Sequence, residues 1–360
     1  MNIVKATKRF EHWLARHTNV VEADLRLKHE RMAESPFLFL RATFYRWIEQ
    51  WRKGFPDLAV APEVLAVGDL HVENFGTWRD KEGRLIWGVN DFDEAYSLPY
   101  TNDLLRLTIS AVLAIRENRL SLPAKAACEA ILEGYLKGLR DGGRPFVLGE
   151  HHCWLRDIAH GELRNPVRFW AKMDALPVAR GNIPVSALSA LEHLLPEPGL
   201  KYKLVRRVAG LGSLGHQRLV ALCNWRGGRI AREAKSLVPS ACCWADDSKG
   251  MADIQYQTII THAVRCPDPF VELRGHWIVR RLAPDCSRIE LAALPVVGDE
   301  LKLLAAMGWE TANIHLGTPG AARRIRAHFN RQKTNWLSSA MKTGIKALCE
   351  DWHAWKRAMA

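Results

Sequence analysis

The chain lacks the features that mark secreted proteins, membrane-spanning proteins and zinc ribbons. Its eight cysteines include no C-x-x-C pair and have no regular spacing, which argues against a zinc ribbon and against a disulfide scaffold. Charges interrupt the apolar positions of the N-terminal segment MNIVKATKRFEHWLARHTNV, and no long apolar run follows, so neither a signal peptide nor a membrane span is visible. We therefore expect a cytoplasmic protein with reduced cysteines.

The composition is that of an ordinary globular protein with an excess of positive charge. Its 360 residues suffice for two lobes with separate cores or for one large domain. The formal net charge of +12 and the pI near 9.4 favour a polyanionic partner, of which nucleic acid is the first candidate. A cleft for a nucleotide or a phosphorylated substrate would also be positive, so charge alone leaves the class of partner open.

The first part of the chain has helical patterns followed by short strands. Helical spacing from Thr7 to Trp51 is interrupted at the helix-start signal SPF, which predicts two helices. From Val64 the pattern changes to the strand LAVGDL and then to NFGTW and RLIWGVNDF, which the turn RDKEG joins into a predicted hairpin. We expect Asn102 to cap the next helix, and helical patterns continue through Leu139 to the glycine-rich break DGGRP.

A second pattern of strands begins at Lys201. Three alternating segments, joined by a glycine-rich turn and by NWRGGR, predict an antiparallel meander. A helix near 255–264 and a further strand, GHWIVRRLAP, should follow. Two or three helices are expected from Glu300 to Ala360.

Acidic and amide side chains follow the ends of the early strands. Asp69 and Asn74 in GDLHVEN have the D-x-x-x-x-N spacing of the kinase catalytic loop, in which the Asp accepts the substrate hydroxyl proton and the Asn holds Mg²⁺. Phosphoryl transfer needs charge neutralisation, so a second metal-binding carboxylate should lie nearby. Asp91 in VNDFDEA is the expected ligand, and Asp93 could share the metal. An Asp that merely caps a turn is the alternative for Asp69 taken alone.

The glycine-rich turn of the meander also has the spacing of a phosphate-binding motif. Its G-x-G-x-x-G residues and enclosed serine are Gly210, Gly212, Ser213 and Gly215. A Rossmann motif must open a helix, whereas HQRLVALCNW has the pattern of a second strand. A glycine turn between two strands with a cation on the third is how kinases cover the phosphates of ATP. Lys235 is the expected cation, with Arg232 as its competitor because strand register is not fixed; a glycine-rich surface hairpin is the alternative.

These motifs resemble those of known families. GDLHVENFG with VNDFDEA and NDLLRL resembles the motif pair of aminoglycoside and choline phosphotransferases, in which a G-D-x-H-x-x-N loop precedes an acid-rich strand end. The chain resembles more closely a bacterial family catalogued as domain of unknown function 2252, through RMAESPFLFLRA, RRVAGLGSLGHQ, AREAKSLVPSA and GWETANIHLGT. That resemblance covers most of the chain and implies a kinase-like fold and a phosphotransferase activity without an established substrate.

The order of the motifs differs from that of ordinary kinases, because the loop with Asp69 precedes the turn with Gly210. We therefore expect an α+β, protein-kinase-like two-lobe fold that is circularly permuted. The predicted parts are an N-terminal helical segment (1–65), a catalytic lobe (66–200), a nucleotide-binding sheet lobe (201–295) and C-terminal helices (296–360). The expected reaction is Mg²⁺-assisted phosphoryl transfer from ATP to a hydroxyl or amine of a small molecule.

Other functions stay open at this stage. A non-catalytic nucleotide-binding regulator, a metallophosphoesterase and a nucleotidyl transferase are the alternatives, and a protein substrate is another. The acid that pairs with Lys235 is not evident, and Asp253 or Glu272 could take that place. His71 is expected to hydrogen-bond the backbone of its loop and fix the shape of that loop.

Overall fold

A computed structural model describes residues 1–159, 165–246, 253–284, 286 and 299–360 of the chain. It is a mixed α/β structure in which helices surround small antiparallel sheets. The helices are α1 (Ile3–Ala15), α2 (Glu22–Glu34), α3 (Pro36–Ala42), α4 (Phe44–Gly54), α5 (Pro56–Ala59), α6 (Tyr100–Arg116), α7 (Ala124–Asp141), α8 (Leu148–His151), α9 (Cys153–Ala159), α10 (Pro166–Asp174), α11 (Val185–His193), α12 (Ala241–Ala245), α13 (Tyr256–His262), α14 (Asp299–His315), α15 (Ala321–Phe329) and α16 (Trp336–Met359). The strands are β1 (Glu63–Ala66), β2 (Phe75–Arg79), β3 (Leu85–Val89), β4 (Tyr96–Pro99), β5 (Phe146–Val147), β6 (Lys203–Arg206), β7 (Arg218–Trp225), β8 (Gly228–Ser236), β9 (Val271–Arg274) and β10 (Trp277–Leu282).

The N-terminal segment divides into more helices than the two that its pattern predicts. The predicted start at SPF is confirmed, because the Ser35 hydroxyl accepts a hydrogen bond from the Leu38 N–H at 3.3 Å and Pro36 occupies the first turn of α3. Thr43 then separates α3 from α4 with a non-helical φ of −126°. Its hydroxyl donates to the Phe39 carbonyl, which offers the backbone an alternative to the helical hydrogen-bond pattern.

The strands before α6 position the acidic loops. The predicted hairpin is confirmed by the antiparallel register of β2 and β3, which pairs Phe75 with Val89. LAVGDL is a strand only as far as Ala66, where β1 pairs with β4, so the residues after it are free to form a loop. The predicted cap at Asn102 is wrong: Asn102 lies inside α6, where its amide donates to the Gly68 carbonyl.

The later segment forms a five-stranded antiparallel sheet of order β6-β7-β8-β10-β9. The predicted meander is confirmed, and the turn between β7 and β8 has positive φ at Arg226 and Gly227, as a two-residue type I′ hairpin requires. The predicted fourth strand is β10, whereas β9, an edge strand, was not predicted. Leu219, Ala234 and Val279 on one face pack against α11, which leaves the opposite face to meet the acidic loops.

The C-terminal part consists of three helices, within the predicted two or three. Gly134 of α7 and Gly308 of α14 lie against the backbone of the opposite helix, so a Cβ at either position would overlap a carbonyl group. The predicted boundary between 295 and 296 lies outside the described residues. In the part of the chain that the structure describes, no helix has the length and apolarity needed to cross a bilayer.

Candidate active site

Three separate segments of the chain line a cavity of about 60 Å³. The N-terminal helices, the acidic loops after β1 and β3, and the glycine-rich turn between β6 and β7 form its walls. The sequence-predicted residues that line it are Asp69, Asn74, Asp91, Asp93, Gly210, Gly212 and Ser213. The cavity therefore unites motifs that are more than a hundred residues apart in the chain.

The loop that carries Asp69 is held by a buried carboxylate of α6. Asp103 accepts hydrogen bonds from the backbone N–H groups of Val67 at 2.7 Å and Gly68 at 3.0 Å. His315 of α14 lies 3.1 Å from the same carboxylate through its Nε2. Gly68 has a φ of +82°, and a Cβ there would overlap the Glu94 carbonyl, so glycine is required for this tight turn.

Asn74 closes the same loop from its other end. Its Oδ1 accepts from the His71 N–H at 2.7 Å, and its own N–H donates to the His71 carbonyl at 2.9 Å. His71 is buried, and its Nδ1 accepts from the Glu73 N–H at 3.2 Å, which is the loop-shaping contact that the sequence suggested. A carboxamide oxygen has two lone pairs, so Oδ1 retains one for a metal ion.

Asp69 faces the cavity and forms an ion pair with Arg106. The Arg106 guanidinium is buried between the rings of Phe44 and Trp47, 5.1 and 5.4 Å from their centroids. Burial raises the pKa of Asp69 above its usual value, although the charge of Arg106 opposes this shift. The ion pair leaves only part of the carboxylate available to a ligand and fixes its orientation.

Asp91 and Asp93 share the ammonium group of Lys235. Lys235 Nζ lies 3.7 Å from Asp91 Oδ1 and forms a closer ion pair with Asp93, whereas the Lys235 side chain is only 2% exposed. Burial and the adjacent Asp91 charge raise the pKa of Asp93 to about 6. Burial acts to raise the pKa of Asp91 as well, but Lys235 and the hydrogen bond from Asp93 lower it below its usual value. The partner acids of Lys235 are therefore these two, which sequence reasoning did not find.

The two acids suggested for Lys235 from the sequence lie elsewhere. Glu272 on the edge strand β9 pairs with Arg274 and with His193. Asp253 is exposed to solvent. Among the residues that the structure describes, the ion pairs of Lys235 are with Asp91 and Asp93.

Arg232, the competing cation, points away from the cavity. It lies three residues before Lys235 on β8, and because side chains alternate along a strand, the two occupy opposite faces. Its guanidinium donates to the Leu194 carbonyl at 3.0 Å and covers the Phe270 ring. The structure therefore brings Lys235, and not Arg232, to the acidic loops.

The glycine-rich turn lies directly over Asp69. A Cβ at Gly212 would be 3.0 Å from the Arg41 carbonyl oxygen and 3.5 Å from Asp69 Oδ2, so the backbone approaches closely only because no side chain intervenes. Gly210 and Gly215 adopt φ values of +75° and +101°, which favour glycine. Gly215 lies outside the cavity wall, where it packs on α2.

The turn is fastened from both sides. The Ser213 hydroxyl accepts from Arg218 Nη2 at 2.6 Å, and the Lys28 ammonium donates to the Gly212 carbonyl at 2.9 Å. The Gly215 carbonyl accepts from the Val21 N–H at 2.8 Å. The N-terminal helices are therefore part of the site and hold the turn closed over the acids.

Sequence reasoning missed several charged side chains around this cavity. Lys28, Arg41 and Glu94 line it, and Arg106 holds Asp69. Burial raises the pKa of Glu94 to about 8, although hydrogen bonds from Ala241 and Ser240 oppose that shift. Of these, Arg106 had a signal in the sequence: it interrupts the apolar run DLLRLTISAVL on a helix that is buried on nearly all sides.

The acids have the chemistry of a magnesium site. Two carboxylates and an amide oxygen, together with the oxygens of a phosphate ligand, are the donors that Mg²⁺ prefers. Among the described residues, no group of three or more His, Cys, Asp and Glu side chains is arranged to hold a metal by itself. Asp91, Asp93 and Asn74 therefore fit a metal that arrives with a phosphorylated ligand.

Comparison with known proteins gives a family match for one part of the chain. Residues 20–151 match the model of a family described as "Uncharacterized protein conserved in bacteria (DUF2252)". The matched segment contains Asp69, Asn74, Asp91 and Asp93, whereas the glycine-rich turn and Lys235 lie beyond it. No curated protein and no solved structure matches the chain.

Proposed function

We propose that this protein is an ATP-dependent phosphotransferase that acts on a hydroxyl or amine of a small molecule with the help of Mg²⁺. The observation that supports this most is the distance of 3.7 Å between Lys235 Nζ and Asp91 Oδ1. The two residues belong to motifs that kinases bring together around the phosphates of ATP. If the glycine-rich turn were only a surface hairpin and the acids only capped turns, Lys235 and Asp91 would not be expected to lie in contact.

Each residue of the cavity has a role in this proposal. Asp69 is the base that accepts the proton of the acceptor group, and its ion pair with Arg106 orients it. Asn74, Asp91 and Asp93 would hold Mg²⁺, which when bound neutralises charge on the phosphate oxygens. Lys235 contributes a further positive charge, and the turn of Gly210, Gly212 and Ser213 covers the phosphate chain, whereas Gly215 shapes that turn through its positive φ.

The architecture supports a permuted kinase-like fold. An antiparallel sheet carries the glycine-rich turn and Lys235, and it lies against loops that end in acids, as in a kinase. Here the acidic loops come first in the chain and the sheet follows. The resemblance of GDLHVEN to the loop of aminoglycoside and choline phosphotransferases suggests a small-molecule acceptor.

A non-catalytic nucleotide-binding regulator is the second candidate. It is favoured by the ion pairs that already occupy the acids, Asp69 with Arg106 and both Asp91 and Asp93 with Lys235. A metallophosphoesterase is less favoured, because two-metal hydrolases need a cluster of His and Asp ligands that the described residues do not provide. A nucleotidyl transferase would use the same residues but would bind ATP in the opposite orientation in the cleft.

The test combines binding and turnover. Calorimetry with ATP and Mg²⁺ should show binding to wild type that Asp91→Ala and Lys235→Ala both weaken. With water, choline and an aminoglycoside as trial acceptors, Asp69→Asn should reduce ATP turnover by about 10²–10⁴-fold, the usual contribution of a general base. Asp351→Asn is the matched control, because Asp351 is similarly buried and also paired with an arginine, Arg46.

Two results would contradict the proposal. If calorimetry detects no binding of ATP to the wild-type protein, the motifs do not form a nucleotide site. Asp69→Asn protein that turns over ATP as fast as wild type would remove the catalytic role and favour the regulator.

A further inference from the structure

A second cavity of about 710 Å³ adjoins the small one, and Asp91 and Gly210 line both. Its volume is within the range of small-molecule and cofactor sites. Seven arginine and lysine side chains line it, against the two carboxylates of Asp91 and Asp268. A cavity with this charge is suited to a ligand that carries several negative charges.

The positive charge is concentrated in three arginines that surround one carboxylate. Arg280 Nε lies 2.8 Å from Glu233 Oε1, Arg218 Nη1 lies 3.2 Å from it, and Arg207 Nη1 contacts the other oxygen at 2.5 Å. Glu233 is fully buried, and the three arginines all line the large cavity. Glu233 balances one of the three guanidinium charges and the nearby Asp91, on which Arg280 and Arg218 also act, offsets another, so the cluster keeps a net positive charge for a ligand.

This three-arginine cluster lies beside the candidate catalytic residues. Glu233 and Lys235 are two residues apart on β8 and therefore occupy the same face of the sheet. The register pairs Arg218 with Lys235 across β7 and Arg280 with Glu233 across β10. A chain of phosphates that begins at Lys235 would run along this face toward the large cavity, and guanidinium groups bind phosphate oxygens in bidentate fashion.

We propose that the three-arginine cluster and the large cavity bind a nucleoside polyphosphate, and that the arginines hold its phosphate chain without a metal ion. The identity of this ligand as the phosphoryl donor rests on the proposed function. Of the aromatic residues that line the same cavity, Trp78, Phe92 and Tyr256 are buried, and the partly exposed Phe169 offers apolar surface for the base. In this arrangement Mg²⁺ is needed at Asp91 and Asp93 for transfer, whereas nucleotide binding proceeds in its absence.

The experiment is calorimetry in EDTA with ADP, pyrophosphate and adenosine as separate probes. Wild type should bind ADP, and Arg207→Gln and Arg280→Gln should each weaken that binding by about tenfold or more, as expected for a charged hydrogen-bond donor. In each variant Glu233 keeps two arginines, so the sheet should remain folded, which thermal melting checks. Arg229→Gln, on β8 like Glu233 but paired with the exposed Asp174, is the matched control and should bind like wild type.

The probes identify the ligand. Adenosine that binds much more weakly than ADP would support the role of the phosphates. Pyrophosphate that binds as tightly as ADP would overturn the nucleoside part, because free polyphosphate would then suffice. No ADP binding in EDTA, or equal binding by wild type and folded Arg280→Gln protein, would overturn the whole inference.

The inference and the proposed function can fail separately. If Asp69→Asn leaves turnover unchanged while ADP binding in EDTA depends on Arg280, the transferase is wrong and the nucleotide site stands. If Asp69→Asn abolishes turnover while Arg280→Gln binds ADP normally, the transferase stands and the three-arginine site is wrong.

Discussion

Replacing Lys235 by methionine tests whether the ion pairs at the candidate site form one electrostatic unit. The substitution keeps the length of a side chain that is 2% exposed and removes its charge from beside two carboxylates that are 28% and 19% exposed. At 3.7 Å, one such pair corresponds to about 4 kcal/mol at an effective dielectric constant of about 20. Removing one partner from a buried pair typically destabilises by about 3–5 kcal/mol, and we expect a loss of that size near pH 8.

The loss of stability in Lys235→Met should depend on pH. Without the lysine, repulsion and burial should raise the folded-state pKa of Asp91 and of Asp93, which is already raised to about 6. A carboxyl whose pKa is raised by folding holds a proton that the unfolded chain releases, so stability falls as pH rises through that window. Urea unfolding in EDTA should therefore show a large deficit near pH 8 and a much smaller one near pH 5. An equal deficit at both pH values, or a similar loss in the exposed control Lys346→Met, would refute the reasoning.

Three further predictions concern the frame around the site. Asp103→Ala should lower the free energy of unfolding by about 3 kcal/mol, because it leaves the buried Gly68 N–H without an acceptor, and Asp103→Asn should lose less; urea titration measures both. Gly134→Ala should lower the melting temperature strongly because its Cβ would overlap backbone of α14, whereas Gly54→Ala, with open space around its Cβ, should keep or raise it. Burial raises the pKa of Glu310 to about 7, so its contribution to stability should fall by roughly 3 kcal/mol as pH rises from about 4.5 to 7, and the pH dependence of wild type minus that of Glu310→Gln in unfolding curves should show this fall; identical pH dependence in the two proteins would contradict it.

Local signals predicted the hairpins and the acidic loops, because turn chemistry acts over a few residues. The positive φ values at Arg226 and Gly227 and the cap at Ser35 are such local effects. To choose between Lys235 and Arg232, one must know which face of β8 lies against the acidic loops. Only the folded chain determines that orientation.

The contributions of the N-terminal helices could not be read from the sequence. Lys28 reaches the glycine-rich turn across 184 positions of the chain, and no local pattern distinguishes it from a surface lysine. The helical spacing of this segment predicts helices and does not indicate what they pack against. The contact between Lys28 and Gly212 depends on how α2 packs against the sheet, and only the folded chain determines that packing.

The contact between Asp93 and Lys235 spans 142 positions of the chain, and that separation bears on how the protein is made. A nascent chain that has emerged only as far as α7 contains both strand-end carboxylates but lacks Lys235, whose ammonium group pairs with them in the folded protein. Their ion pairs with Lys235 can form only after β8 has been synthesised and has paired with β7 and β10. Assembly of this charged centre is thereby a late step in folding, because its two acids and its lysine come from distant parts of the chain.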